Sequence, residues 1–446
     1  GKSTIGYNAV GVPGTVAGLA LAEQRYGKLK WADVIDPALR LATEGFTLSY
    51  INANAIKASS TLLSRFPDSN RIFLRDGDYY KEGDRLIQPE LAATLGRLKS
   101  KGPSDFYRGE TARMIVDDIR RHGGLITAED LNQYEPTLRN PLSGTYRGYQ
   151  IITMPSPSSG GAILLEELNM LEHYDVGRLG HNSSGELHIL IEVMRRAFAD
   201  RAAYMGDADF VKVPATGLIS KKYARELVNT IDPEKATPSG DVRPGNPAAY
   251  EPPETTHYTV IDAEGTVVSN TYTLNAGFGS GVTAHGTGVL LNDEMDDFTS
   301  KPGSPNMFGL LQSEANAIAP HKRPLSAMTP TIVLKDGKVY FAIGSPGGPT
   351  IINTVLQVIV NVIDYKMNLQ QAVDAPRFHH QWMPDEVRWE PFGLNQDTRA
   401  LMEARGYVFS MKPGYIGDAE GVMVEQDTGI RLGASDSRNG GVSAGY

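Results

Sequence analysis

The chain has 446 residues, enough for one large domain or for two or three ordinary domains. Hydrophobic residues make up 41% and charged residues 21%, a composition typical of soluble globular proteins, and the net charge of −9 provides no electrostatic basis for binding nucleic acid or an acidic membrane surface. The absence of cysteine excludes disulfides, cysteine metal ligands and a cysteine nucleophile. No apolar run approaches the roughly 20 residues of a membrane-spanning helix.

The first half of the chain is predicted to be mostly helical. Helices over 15–26 and 31–44 each end before a glycine, the common stop signal, and 109–124 has an amphipathic pattern that also ends on glycines. Thr127 and Asp130 have a spacing close to that of a capping box at the start of another helix. We also expect that Gly1 is not the natural N-terminus, because neither a methionine nor a signal peptide is present there.

The longest predicted helix covers 183–204. Its apolar residues recur at spacings of three and four, which predicts that one face is buried; they are Leu187, Ile191, Met194 and Phe198. Residues 136–153 are predicted to form a pair of strands. The stretch 232–254 is rich in proline and glycine and has no periodicity, so we expect it to be extended and exposed.

The second half is rich in predicted strands. One hairpin is predicted over 256–262 and 266–274, and another over 331–343, where Asp336-Gly337 is a strong hairpin turn. Three helices and two short closing strands are then predicted, the helices at 349–365, 368–375 and 395–405, and the strands at 419–425 and 429–434. Hairpins flanked by helices indicate an α+β layered fold.

The first hairpin has a predicted register. Asp262 suits the start of its turn and Gly265 the left-handed position, which places Asp262 opposite Thr266. Continued outward, this register places Thr255 opposite Thr273, whereas a slip of one residue would place Tyr272 there. A threonine at the start of this strand is therefore expected to have a hydroxyl group as a cross-strand neighbour.

Thr255 is a candidate nucleophile. A threonine hydroxyl needs a nearby base, and an N-terminal threonine has one in its own α-amine, whose reference pKa is about 7.7–8.0. That arrangement requires cleavage of the bond between Glu254 and Thr255, at the end of the proline-rich stretch. Threonine is also simply a good strand residue, so the pattern alone leaves a structural role open.

Three further stretches have functional alternatives. GSPGG (344–348) precedes a predicted helix, so its backbone N–H groups are suited to holding an oxyanion, or it is an ordinary turn. NDEMDDF (292–298) is either an acidic pocket for an ammonium group or a solvated loop. Ser326 in KRPLSAMTP is either a polar anchor or a turn residue. We predict no metal site, because the histidines lack ligand spacing, and no dinucleotide or phosphate loop is present.

Several of these motifs occur together in order. The run TTHYTV, TYTLNAGFGSG, GVLLNDEMDDF, KRPLSAMTPT, GSPGG and DAPRFHHQWMPDE resembles the γ-glutamyltranspeptidases. GVPGTVAGLALAEQRYGKL, ITAEDLNQY and PSPSSGG (155–161) resemble that family's large subunit, so the resemblance covers essentially the whole chain.

The resemblance implies an N-terminal-nucleophile hydrolase fold, a four-layer αββα sandwich without a cofactor. It also implies that one precursor cuts itself between Glu254 and Thr255 into a large subunit (1–254, with a linker at about 232–254) and a small catalytic subunit (255–446) that stay together. The substrates would be γ-glutamyl compounds such as glutathione. The implied location is periplasmic or secreted.

The resemblance also implies residue roles. Thr255 would form an acyl-enzyme, Thr273 would hydrogen-bond it, and Gly347 and Gly348 would form the oxyanion hole. The implied α-ammonium ligands are Asn275, Glu294 and Asp297, and Ser326 would help to hold the α-carboxylate. Water or an amine would then release the glutamyl group.

Three departures from the family pattern affect these roles. The family often has two serines where this chain has Ser326 and Ala327, so one carboxylate contact is altered. The stretch 302–313 resembles a lid whose tip is a tyrosine in some members, but Phe308 stands here and cannot donate a hydrogen bond. The family also has a further N-terminal segment that carries an arginine for the α-carboxylate, and we expect the natural protein to include it.

Two alternatives to a γ-glutamyltransferase and glutathione hydrolase remain. One is an acylase of the same fold that acts on glutaryl-type β-lactam side chains or on poly-γ-glutamate. Asn275, Glu294 and Asp297 argue against glutaryl substrates, which have no α-ammonium group. The other alternative is an uncleaved relative that binds without catalysis.

Overall fold

The computed structural model describes residues 1–75, 77–247 and 259–445, which form two compact units. Unit 1 consists of Gly1–Leu138 and Thr273–Asp296, and unit 2 of Arg139–Tyr272 and Asp297–Tyr446. Each unit takes residues from both sides of the predicted cleavage site, so these compact units are a different division of the chain from the predicted subunits. Thr255 and Glu254 lie outside the described residues.

Unit 1 is mostly helical, as predicted. Its elements are α1 (Thr15–Tyr26), α2 (Trp31–Glu44), β1 (Phe46–Thr47), α3 (Tyr50–Ala58), α4 (Ser60–Leu63), α5 (Pro67–Leu74), β2 (Arg85–Leu86), α6 (Pro89–Lys101), α7 (Ser104–Arg108), α8 (Glu110–Arg121) and α9 (Ala128–Gln133). The predictions for α1, α2 and α8 are confirmed, and Ile115 and Ile119 on the apolar face of α8 are fully buried. The capping box of Thr127 and Asp130 is present at the start of α9.

Unit 2 contains both helices and strands. Its first part has β3 (Leu142–Tyr146), β4 (Tyr149–Thr153), α10 (Gly160–Leu171), α11 (Val176–Leu179), α12 (Ser184–Tyr204), α13 (Ala215–Leu218) and α14 (Lys221–Val228). Its second part has β5 (Thr259–Ile261), β6 (Val267–Ser269), β7 (Thr331–Lys335), β8 (Lys338–Gly344), α15 (Thr350–Ile363), α16 (Leu369–Asp374), β9 (Phe378–His379), β10 (Arg388–Trp389), α17 (Gln396–Ala404), β11 (Glu420–Val424) and β12 (Arg431–Ser435). The predicted helices and strands from residue 331 onward are confirmed to within a few residues.

An antiparallel sheet organises unit 2. Six strands lie in the order β12-β11-β8-β7-β4-β3, and α10 and α15 pack on this sheet through a common hydrophobic core. The turn between β7 and β8 has positive φ at Asp336 (50°) and Gly337 (76°), as a two-residue hairpin turn requires. The two-stranded sheet β5–β6 packs against β7, β8 and β11. The architecture is an α+β sandwich, as expected.

The predicted register of the β5–β6 hairpin is confirmed where it is described. Thr259 pairs with Ser269 and Ile261 with Val267. Asp262 N–H donates to the Thr266 carbonyl at 3.1 Å, and Gly265 has a φ of 88°. The turn therefore has the geometry that its sequence predicts. The ladder is shorter than the predicted strands.

Helix α12 is buried around its whole circumference, including its charged residues. The four apolar residues predicted to face the core are buried, which confirms that face. The opposite face is also buried, because every residue from Glu186 to Arg201 is buried. A buried charge is costly unless it is paired, so this polar face requires partners.

Much of this pairing is with the proline-rich segment that follows α14. Glu192, Arg196, Asp200 and Tyr204 lie four residues apart and form one stripe along α12. Glu192 accepts from the Thr237 backbone N–H (3.1 Å) and hydroxyl (2.6 Å). Arg196 donates to the Thr230 carbonyl at 2.7 Å.

Asp200 and Tyr204, at the C-terminal end of the stripe, both form hydrogen bonds with Gly245. Its N–H donates to the Asp200 carboxylate at 2.8 Å, and its carbonyl accepts from the Tyr204 hydroxyl. Ser239 and Val242 are buried. The expectation of an exposed segment is therefore wrong for these residues, although the backbone is irregular as predicted. Proline removes backbone periodicity but does not prevent the remaining polar groups from being bound by a buried helix.

Tyr204→Phe should loosen this attachment. Loss of the hydrogen bond to the Gly245 carbonyl should lower the free energy of unfolding by about 1 kcal/mol and speed hydrogen exchange of the amides within residues 239–247. Denaturant unfolding and exchange mass spectrometry measure the two effects. Tyr415→Phe is the matched control because Tyr415 is 67% exposed. Equal behaviour of the two variants would contradict the assignment.

Candidate active site

The predicted site residues of unit 1 form one connected group. Thr273 Oγ1 accepts the Asn275 N–H at 2.8 Å, and the Asn275 side-chain amide donates to the Asp293 carbonyl at 3.2 Å. Asn275 itself has a φ of 71°, a left-handed conformation that asparagine tolerates better than most residues. Glu294 follows directly in the chain and begins a 3₁₀ turn, Glu294–Asp297. Thr273, Asn275 and Glu294 are thus brought together.

Asp293 is the member of this group that sequence reasoning missed. It is fully buried, and one of its carboxylate oxygens accepts the Ala276 N–H at 2.9 Å. The other oxygen has no hydrogen-bond partner among the described residues. Burial raises the pKa of Asp293 to about 6, and the nearby charge of Asp296 adds to that effect. The acidic run indicated its presence, but only packing shows that Asp293 and Asp296 are the buried members of the run.

In unit 2, the buried side chain of Asn316 hydrogen-bonds both Asp297, a predicted ammonium ligand, and Leu325, which directly precedes Ser326, the predicted carboxylate ligand. The Asn316 side-chain N–H₂ donates to the Asp297 carbonyl at 2.6 Å, and its oxygen accepts the Leu325 N–H at 3.0 Å. Asn316 is completely buried. Asp297 and Leu325, the residue before Ser326, therefore share one supporting side chain.

Ser326 is held from the other side by the PSPSSGG loop. Its N–H donates to the Pro157 carbonyl at 2.9 Å, and its carbonyl accepts from both the N–H and the hydroxyl of Ser159. The Ser159 hydroxyl in turn accepts from Arg201 Nε at 2.8 Å. The Ser326 hydroxyl oxygen accepts the Met328 N–H at 3.1 Å. Ala327 is buried in the hydrophobic core and supplies no polar group.

Arg201, which donates to the Ser159 hydroxyl, is a buried positive charge next to the loop that holds Ser326. Burial lowers its pKa to about 10, and the negative charge of Asp297 acts in the opposite direction. Its Nη1 atom has no hydrogen-bond partner among the described residues. Arg201 and Asn316 had no signal in the sequence, because an arginine or asparagine in a helix or loop is usually exposed.

The glycine pair has the backbone geometry that only glycine adopts readily. Gly347 and Gly348 have φ values of 135° and 58°, and they stand directly before α15, whose N-cap is Pro349. Neither of their N–H groups donates to any residue within the described parts of the chain. The carbonyl of Gly347 accepts from the Thr350 hydroxyl at 2.9 Å. The two amides are therefore available to an anion at a helix N-terminus.

Phe308 covers this glycine pair. A Cβ atom built on Gly348 would lie 3.0 Å from the nearest ring atom of Phe308. The predicted lid residue and the predicted oxyanion glycine are therefore adjacent. Across the described residues, no group of three or more histidine, aspartate or glutamate side chains is arranged to hold a metal ion. No helix there combines the length and hydrophobicity that a membrane span requires.

Comparison with known proteins identifies the family. A sequence profile described as gamma-glutamyltranspeptidase matches residues 1–446. The chain is 47% identical over 447 residues to the glutathione hydrolase proenzyme of Escherichia coli strain K12, covering 100% of this chain and 77% of that protein. It is 48% identical over 411 residues to the glutathione hydrolase proenzyme of Pseudomonas sp. strain A14, covering 92% and 71%.

A solved structure also resembles the fold. The cephalosporin acylase from Bacillus halodurans matches with a TM-score of 0.87 at 28% identity, covering 98% of this chain and 78% of that one. The sequence profile and the full-length relatives agree with the resemblance drawn from the motifs. The chain belongs to the γ-glutamyltranspeptidase family of enzymes.

Proposed function

We propose that this protein transfers the γ-glutamyl group of glutathione and related compounds to water, amino acids or peptides. The observation that carries the proposal is the support shared by Asp297 and Ser326 through Asn316. Asn316 hydrogen-bonds the backbone of Asp297 and of Leu325, the neighbour of Ser326, and a carboxylate and a hydroxyl supported in this way suit the two charged groups of an α-amino acid, which is the end of a γ-glutamyl substrate that does not react. Asn275 and Glu294 are the other proposed ammonium ligands.

In the proposed mechanism, Thr255 is the nucleophile and its α-amine is the base. The amine takes the hydroxyl proton as Thr255 Oγ1 attacks the γ-carbonyl carbon, and the N–H groups of Gly347 and Gly348 stabilise the resulting oxyanion. The proton then passes to the departing amine as the acyl-enzyme forms. Water or an acceptor amine attacks this ester and releases the glutamyl group. Thr273 is proposed to hydrogen-bond the nucleophile, which the confirmed hairpin register supports.

We further propose that the chain cuts itself between Glu254 and Thr255 and that its products remain together as a large and a small subunit. The cut is what frees the amine of Thr255. We also propose that the protein is periplasmic or secreted, as the family resemblance implies.

Thr255→Ala should abolish self-cleavage. Without the hydroxyl, no acyl shift can begin at this bond, so a denaturing gel should show one band that persists on incubation, while the unmutated protein divides in two. Thr256→Ala is the matched control and should still divide. N-terminal sequencing of the small fragment should read Thr-Thr-His-Tyr. Division of the Thr255→Ala protein after Glu254 would contradict the mechanism, and an undivided unmutated protein would favour the non-catalytic alternative.

The ammonium ligands should decide between γ-glutamyl and glutaryl substrates. The glutaryl group lacks the α-ammonium, so the unmutated enzyme should have the higher kcat/KM for a γ-glutamyl anilide. Asp297→Asn should reduce this preference on the order of tenfold to a hundredfold, the effect of losing a hydrogen bond to a charged group.

The control for this measurement is Asp427→Asn, an exposed aspartate in the turn between β11 and β12. It should leave the ratio of the two kcat/KM values unchanged. A faster glutaryl reaction in the unmutated enzyme would favour the acylase alternative, which the fold shared with the cephalosporin acylase makes the nearest competitor.

A further inference from the structure

The loop that carries Phe308 is closed by its own hydrogen bonds. The side-chain oxygen of Asn306 accepts the N–H groups of Phe308 and Leu310, each at 3.1 Å. Gly309, with a φ of 78°, completes the turn. These bonds set the shape of the turn but do not fix where it lies relative to Gly348, so another contact must do so.

That contact is made by Gln381. Its side-chain N–H₂ donates to the carbonyl of Phe308 at 3.0 Å and to the carbonyl of Met383 at 3.2 Å. Its side-chain oxygen faces His379 Nε2 at 2.9 Å. His379 Nδ1 in turn faces the side-chain N–H₂ of Asn353 at 2.8 Å. Asn353 belongs to α15, the helix that begins directly after the glycine pair.

The direction of every hydrogen bond in this chain is determined. Asn353 Nδ2 also faces the His380 carbonyl at 3.0 Å, so this atom is a donor and His379 Nδ1 accepts. The remaining proton of the neutral ring is then on Nε2, which donates to the Gln381 oxygen. This leaves the Gln381 N–H₂ to donate to the Phe308 carbonyl. Burial lowers the pKa of His379 to about 3, which keeps the ring in this neutral form.

We propose that Gln381 is a positioning residue for the lid. Through the chain Asn353–His379–Gln381, it ties the Phe308 carbonyl to the helix that begins at the glycine pair, and so keeps the Phe308 ring over Gly348. All three side chains are 6% exposed or less. The three hydrogen bonds that link Asn353 to His379, His379 to Gln381 and Gln381 to the Phe308 carbonyl are 2.8–3.0 Å long. Buried hydrogen bonds in series make a stiff link.

This inference rests on the proposed function and extends it to the fate of the acyl-enzyme. An aromatic ring over the oxyanion glycine restricts the access of water, whereas an acceptor amine bound at the site replaces that water productively. Displacing the ring should therefore favour hydrolysis over transfer. Gln381 would then set the ratio of the two reactions without touching substrate.

The test uses the full chain after self-cleavage and compares Gln381→Met with Gln357→Met. Gln357 is the matched control because it is also buried and also donates to two backbone carbonyls, those of Asn353 and Phe378, but within the described residues it makes no hydrogen bond to the lid. One readout is hydrogen exchange of the amides in residues 306–310. The other is the ratio of hydrolysis to transfer with a γ-glutamyl anilide donor and a dipeptide acceptor.

Gln381→Met should speed exchange in the lid and raise the hydrolysis-to-transfer ratio by about fivefold, the factor expected for one lost hydrogen bond. Gln357→Met should change neither quantity. In a Phe308→Ala background, Gln381→Met should have no further effect on the ratio, because the ring it positions is gone. Equal effects of the two glutamine variants, or additivity with Phe308→Ala, would overturn the proposal.

Failure of this inference can be distinguished from failure of the proposed function. If the unmutated enzyme does not turn over the γ-glutamyl anilide, the proposed function fails, and hydrogen exchange of the lid still decides the role of Gln381. If Gln381→Met does not fold, Gln381→Glu measured at about pH 8 replaces it, since the carboxylate accepts from His379 but cannot donate to Phe308. Unchanged lid exchange in the Glu variant would also overturn the proposal.

Discussion

Burial of the charged helix α12 is the constraint on which much of unit 2 depends. An ionised side chain cannot leave water unless its charge and its hydrogen bonds are matched, so each buried charge dictates the position of its partner. Glu192 and Asp200 accept hydrogen bonds from backbone N–H groups of the proline-rich segment and so hold that segment against α12. Arg201 fixes Ser159, and Ser159 fixes the backbone of Ser326. One helix thus links the segment before the proposed cleavage site to the proposed substrate-binding loop.

A second feature of the candidate site is the availability of the backbone amides that are proposed to bind the oxyanion. The N–H groups of Gly347 and Gly348 make no hydrogen bond to the described residues, because positive φ values turn them away from the β8 ladder and from α15. Around them, fully buried side chains such as Asn316 and His379 use their polar atoms on protein partners. Rigid support of this kind is what keeps a reacting group within the narrow range of productive geometry.

A sandwich of this kind hosts more than one acyl-transfer chemistry, so selectivity must lie in side chains. The chemistry of the γ-glutamyl group gives those side chains a specific task, since its ammonium and carboxylate groups lie several bonds from the reacting carbonyl. Binding energy from this distant end can orient the carbonyl only if both contacts are rigidly placed. We propose that Asp297 and Ser326 make these two contacts, and the proposed role of the lid is to control whether water or an amine reaches the acyl-enzyme.

The sequence by itself determined the local features of this protein. The turn chemistry of Asp262 and Gly265 predicted the β5–β6 register, and the spacing of Leu187, Ile191, Met194 and Phe198 predicted a buried face of α12. The ordered motifs identified the family. These features depend on neighbours a few residues apart or on recurrent residue patterns, which a sequence displays directly.

Only the tertiary structure decided which polar residues are buried and hydrogen-bonded to other parts of the protein and which face solvent. The proline-rich segment was expected to be exposed, yet its Ser239 is buried and its Gly245 is held by α12. Asn316 and Arg201 gave no signal in the sequence, and neither the acidic run around Asp293 nor the motif around Gln381 indicated what those side chains would bind. Their roles arise from partners far apart in the chain, as in the bond from Gln381 to Phe308, and a polar residue has the same appearance in a sequence whether it meets water or a buried carbonyl.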